Sequence, residues 1–184
     1  MEELKGKYLT ILLKNEEYAI SIRQIIEIIG IQAITETPKS AKAIKGVINL
    51  RGNIIPIMDL RLKFGMEEKE YDERTCVVVV EIEIKGEAKR VGLIVDTVNE
   101  VTNIENIDLP PTGVDDGNEK FLLGIGKIKD RVIMLLDISD VITSNDLINA
   151  ENAENTENTE NTENTENTET ETLDVQVVEE NVKQ

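Results

Sequence analysis

Few residues in this 184-residue chain have types and spacings that suit chemistry, and most of those explain themselves without it. Gly124-Ile-Gly126-Lys127 has the look of a phosphate loop. A Walker-type loop needs another glycine five positions before the second one, and position 121 is Phe. Asp115-Asp-Gly-Asn-Glu119 has a calcium loop's composition but neither its ligand spacing nor its closing bidentate Glu, so a solvated acidic loop is the better reading. Asp59 and Asp137 invite pairing as general acid and base, yet they stand at equivalent points of a duplicated pattern, which sets them apart in space. Each reads as a helix cap. The chain has no His and one Cys, which excludes most nucleophile–base pairs, the usual zinc sites and any intramolecular disulfide. Cys76 opens the apolar run Cys76-Val-Val-Val-Val80 and reads as a core thiol. No catalytic residue, metal site or cofactor is assigned.

Arg51 is different. It stands with Asn49 in Asn49-Leu-Arg-Gly-Asn53, where Gly52 and Asn53 supply turn chemistry. A guanidinium fixed on a rigid turn is suited to pairing with a partner's carboxylate. A simply solvated turn arginine is an equally good reading at this stage. Glu27 reads as a surface charge or as a partner contact near Arg51.

The elements that must position these residues are strands. Val47–Leu50 and Ile54–Met58 form a β-hairpin bent at Arg51, and the stretch Gly46–Leu60 recurs without a gap as Gly124–Ile138, placing Lys129 on Arg51 and Asp137 on Asp59. Upstream, Tyr18–Ile28 matches Val91–Val101 in its apolar positions and in the pair Glu27/Glu100. Two copies at so long a period imply two related subdomains rather than a solenoid. The first is expected over about 7–65 and the second over about 75–148, joined by a charged connection. Ser21 with Gln24 has the form of a capping box, and Ile22, Ile25, Ile26 and Ile29 have helical spacing, so a short helix is expected there; from Glu27 onward the β-branched residues favour a strand. Pro56 lacks a donor and predicts an edge or a bulge. Asp96 is read as capping a short turn that carries Val98 and Val101.

Charge divides the chain at about residue 149. The net charge is −17, and residues 150–184 contribute eleven acidic side chains against one lysine. Asn155-Thr-Glu repeats five times up to Glu169 with almost no apolar side chains, so 150–184 is expected to be disordered, with Val175, Val177 and Val178 near its end able to dock. An inert solubilising extension is the favoured reading of this tail, an electrostatic spacer the other. The acidic balance argues against nucleic-acid binding. No apolar run reaches the roughly 18 residues of a membrane span, so a cytoplasmic protein without membrane insertion is expected.

Gly46-Val-Ile-Asn-Leu-Arg-Gly-Asn-Ile-Ile-Pro-Ile-Met-Asp-Leu60, with Tyr18–Ile28 before it and Gly92-Leu-Ile-Val-Asp96 after it, strongly resembles the CheW family of bacterial chemotaxis coupling proteins. The match spans about residues 6–144, within a domain placed at 1–149. The resemblance implies an all-β fold of two tandem SH3-like five-stranded β-barrels sharing a groove and a hydrophobic core. It implies no catalysis, but an adaptor that couples the cytoplasmic tip of methyl-accepting chemotaxis receptors to the regulatory domain of the histidine kinase CheA. By position, Ile25, Glu27, Asn49 and Arg51 would face the receptor from the first subdomain and Val98 from the second. Ile28 and Ile31 are the residues expected to meet the kinase. Such a protein would be recruited to membrane-associated receptor arrays. A CheW-like scaffold of a non-chemotaxis pathway, such as surface motility, is the competing reading.

Overall fold

The computed structural model describes residues 2–37, 41–110, 121–143 and 146–147. The acidic loop expected at Asp115–Glu119 and the tail 150–184 lie outside them. The fold is all-β, with eleven strands among the described residues: β1 (Gly6–Leu13), β2 (Glu16–Ser21), β3 (Ile25–Gly30), β4 (Ile44–Leu50), β5 (Asn53–Asp59), β6 (Cys76–Ile84), β7 (Glu87–Val95), β8 (Thr97–Ile104), β9 (Ile107–Asp108), β10 (Leu122–Ile128) and β11 (Arg131–Leu136). Two one-turn helices follow the two copies of the hairpin, α1 (Leu60–Lys63) and α2 (Ile138–Val141).

The strands form two sheets, ordered β8-β1-β2-β11-β10-β9 and β3-β6-β7-β5-β4. The sheets do not follow the sequential division at 7–65 and 75–148. Each takes its first two strands from one half of the chain and its third strand and hairpin from the other. The chain changes sheets at the one turn of 3-10 helix Ile22–Gln24 and at Asp96. The duplication is nonetheless kept to the residue. Ile57 pairs with Gly92 as Leu135 pairs with Ala19, both in parallel, and Ile25 pairs with Val80 as Val98 pairs with Ile11.

Closure of the two barrels is also duplicated. Thr35 bridges Val47, with N–H to O distances of 2.9 Å in both directions, and Asp108 pairs with Ile125 at the equivalent point. In the second case the bridge lengthens to two residues, which is why that sheet has a sixth strand, β9. Gly46 is required by this closure. A Cβ there would lie 2.0 Å from the Thr35 carbonyl oxygen, and its φ is +141°. Gly124 meets the equivalent backbone, with the Asp108 oxygen 3.0 Å from a built Cβ.

Alternation along the strands sorts side chains among three cores. Val77 and Val79 fill one barrel with Ile48, Ile55 and Ile57, while Tyr8, Ile104, Ile133 and Leu135 fill the other. Leu9, Ile11 and Leu13 of β1 face Val78, Val80 and Ile82 of β6 in a central core between the sheets. The uninterrupted valine run of β6 follows, because both of its faces are buried.

Several local expectations change. Helix formation after Ser21 stops at a single 3-10 turn, and the Ser21 side chain makes no capping bond; the isoleucines that follow enter β3. Asp96 caps nothing, since Thr97–Ile104 is a strand, and it binds Arg61 and the Lys14 N–H instead. Pro56 sits in β5 between two neighbours, yet the pairing with β7 begins only at Ile57, so its missing donor faces no ladder on that side. Both aspartate caps are present: Asp59 accepts from the N–H groups of Arg61 and Leu62, and Asp137 from that of Ser139.

Candidate protein-interaction site

Arg51 occupies the tip between β4 and β5. Its φ of 53° and the 86° of Gly52 give the two consecutive left-handed residues that a tight hairpin turn requires. The side-chain oxygen of Asn49 accepts from the Gly52 N–H at 2.8 Å, locking the turn. Arg51 Nη2 then lies 2.8 Å from Glu27 Oε2 on β3. The arginine side chain is 77% exposed and the glutamate 21%. The guanidinium is therefore aimed by a carboxylate of its own chain while most of its donors face outward. Asn49, expected as a direct contact, has its oxygen engaged in shaping the turn.

The same device recurs on the other barrel. Glu100, the counterpart of Glu27, receives Arg131 Nη2 at 2.8 Å, and Arg131 also reaches Glu17 at 3.3 Å. The Arg131 guanidinium is held further toward its charged form by its bond to Glu100. The hairpin alignment had set Lys129 opposite Arg51, but the cation that serves Glu100 lies two residues further on. The Glu27/Glu100 match was the signal that could have found it.

Ile25 and Val98, counterparts in the duplication, are both half-buried and pack against the central core from opposite sheets. Among the described residues, the Glu27–Arg51 ion pair does not include Val98. Ile28 faces away from Glu27, 43% exposed, with Ile26 beside it on the edge strand β3. Ile31 packs instead against the core of its own barrel. Its placement differs from an exposed contact because the chain beyond Gly30 turns inward to reach the Thr35–Val47 closure.

Asp59 and Asp137 are occupied locally. Asp59 is 1% exposed, caps α1 and accepts the Tyr71 hydroxyl at 3.0 Å. Burial, with the Asp59 charge beside it, pushes the Tyr71 phenol up. Among the described residues, no three His, Cys, Asp or Glu side chains gather as metal ligands, and no helix is long and apolar enough to cross a membrane.

Two β-barrels with a pre-shaped Arg–Glu tip and exposed aliphatic residues on an edge strand define a protein-binding module. Residues 7–146 match the CheW-like domain. Over 148 residues the chain is 36% identical to the chemotaxis protein CheW of Klebsiella aerogenes, covering 79% of this chain and 87% of that one. It is 31% identical over 141 residues to chemotaxis protein CheW of Bacillus subtilis, covering 74% and 86%. The crystal structure of the scaffolding protein TtCheW from Thermoanaerobacter tengcongensis is similar with a TM-score of 0.66 and 32% identity, covering 78% of this chain and 91% of that one. The chain belongs to the CheW family of chemotaxis adaptor and scaffold proteins.

Proposed function

We propose that this protein couples methyl-accepting chemoreceptors to the histidine kinase CheA, without catalysis of its own, in the cytoplasm at membrane-associated arrays. The observation that carries the reading is the Arg51 tip, a cation held in place by Asn49 and Glu27 yet open to a partner. A helical receptor tip would lie along the rim marked by Ile25, Glu27, Arg51 and Val98, in the manner of helix-in-groove recognition. The regulatory domain of the kinase would meet the edge strand at Ile28. Holding both at once raises the effective concentration of one near the other, and differential contacts with receptor states bias the kinase between on and off.

Reconstitution tests this. Purified kinase and a receptor cytoplasmic fragment are mixed with and without the protein, and kinase autophosphorylation is followed. Stimulation that requires all three components is expected, with no phosphate on the protein itself. Equal kinase activity with and without it would defeat the coupling role.

A further inference from the structure

The two barrels differ in one respect that the duplication does not explain. β5 and β7 pair only over Ile57–Asp59 and Gly92–Ile94. Upstream the strands run on and part, and between them lies a groove of about 530 Å³ bordered by Asn53, Ile54 and Pro56 on one side and Ala88 and Arg90 on the other. Among the described residues no strand pairs with either edge there. On the other barrel the same place is closed. β2 begins at Glu16, one residue before its pairing with β11 starts at Glu17, and Arg131 reaches across to Glu17. The groove exists because the parallel ladder here starts at Ile57–Gly92, two residues later than its counterpart, which starts at Ile133–Glu17.

Leu147 lines this groove and is also buried in the central core, and Lys63 holds the neighbouring Asp146 at 2.8 Å. The chain thus leaves for its last 37 residues from the wall of the groove. Those residues hold one apolar stretch of strand-like pattern, Leu173-Asp-Val-Gln-Val-Val178, where Leu173, Val175 and Val177 alternate with polar residues. We propose that Leu173–Val178 adds itself as a strand in the groove between β5 and β7, with the Asn-Thr-Glu repeat as its tether.

Reach and face both suit this occupant. The 25 residues 148–172 span roughly 25–30 Å as a coil, enough to return to the point of departure. Tethering places the strand at an effective concentration on the order of millimolar, so a weak intrinsic affinity suffices. The apolar face of Leu173, Val175 and Val177 would cover Ile54, which is 50% exposed. Backbone bonds to open strand edges are the usual basis of such additions. Lys89 and Arg90 at the groove are each paired with a carboxylate, Glu87 and Glu81, so the case for this occupant rests on reach and on the apolar face.

Hydrogen–deuterium exchange on the full chain tests the proposal, comparing the protein with Val177→Asp and with Ile54→Asp. Amides of residues 174–178 are expected to exchange about tenfold or more slowly than in the free peptide of the same sequence. Both substitutions should abolish that protection, Val177→Asp should also speed exchange at 53–56 and 87–91, and dilution should change nothing. Free-peptide exchange at 174–178 in the unmodified chain would overturn the proposal, as would protection that survives Ile54→Asp. Protection that disappears on dilution would assign the groove to a second copy instead.

Discussion

Arg61 grips Asp96 through two hydrogen bonds, Nε to Oδ1 at 2.6 Å and Nη2 to Oδ2 at 2.5 Å, at the point where the chain passes from one barrel to the other. Both side chains are 14% exposed, and the Lys14 N–H donates to the same carboxylate at 2.8 Å. The pair thus ties α1, the β1–β2 turn and the β7–β8 crossover together. Arg61→Ala should destabilise the protein by about 2–3 kcal/mol, because it leaves a largely buried carboxylate without its partner. Urea midpoints for the two proteins measure it.

The same pair sets a pH dependence. Burial alone would raise the Asp96 pKa, but the bonds from Arg61 and Lys14 outweigh it and hold the group below its usual 3.8. Asp146 is held low in the same way by Lys63 and Thr143 against its burial. A depressed carboxylate contributes stability that is complete above the unfolded value, and that contribution is lost as pH falls through the lower folded value. Asp96→Asn should therefore be less stable than the unmodified chain at pH 7, with the gap narrowing below pH 3.8. A constant gap across that window would disprove the assignment.

Gly46 and Gly124 are counterparts, but substitution should not affect them equally. At Gly46 an added Cβ meets backbone at 2.0 Å and a left-handed φ, whereas at Gly124 the nearest atom is the Ile107 side chain at 2.7 Å. Gly46→Ala should cost about 2–4 kcal/mol, and Gly124→Ala clearly less. Denaturation midpoints decide the order.

Much of this was legible where the chemistry is local. The hairpin at Arg51, the caps Asp59 and Asp137 and the doubled pattern were readable because turn glycines and short-range side-chain bonds leave signatures within a few residues. The exchange of strands between the halves was not. In a duplicated chain the hairpin Ile44–Asp59 presents the same edge to β2 as to β7, so the residue pattern is satisfied by either partner. What selects the other half's strand is the one-turn crossover at Ile22–Gln24, where helical spacing and β-branched side chains pointed in different directions. Arg131 carries no signature at the aligned turn position for a related reason, since its role follows the Glu100 it pairs with.

The two residues expected to meet the kinase should respond differently. Ile28 projects outward, so Ile28→Asp should leave the melting temperature nearly unchanged while abolishing kinase capture. Ile31 packs against the core of its barrel, and Ile31→Asp should lower stability by about 1–3 kcal/mol, so that any loss of capture there includes a folding effect. Thermal melts run beside kinase pull-downs separate the two.

Glu27 and Arg51 should behave as a unit in binding. Exposure of the arginine limits the pair's worth in folding to about 0.2–1 kcal/mol, so Glu27→Ala should leave the fold intact. Its effect on receptor affinity should be largely absent once Arg51 is already alanine. A double-mutant cycle measures that coupling.

The most direct measurement is a titration of a receptor cytoplasmic fragment against the protein and against Arg51→Ala, with capture of the kinase regulatory domain measured on the same samples. The account predicts that Arg51→Ala weakens receptor binding by about tenfold or more, in the range of an interface anchor, while kinase capture is unchanged. Receptor affinity unaffected by Arg51→Ala would contradict the placement of the receptor site at the first hairpin, and an unmodified protein that binds neither partner would contradict the coupler itself.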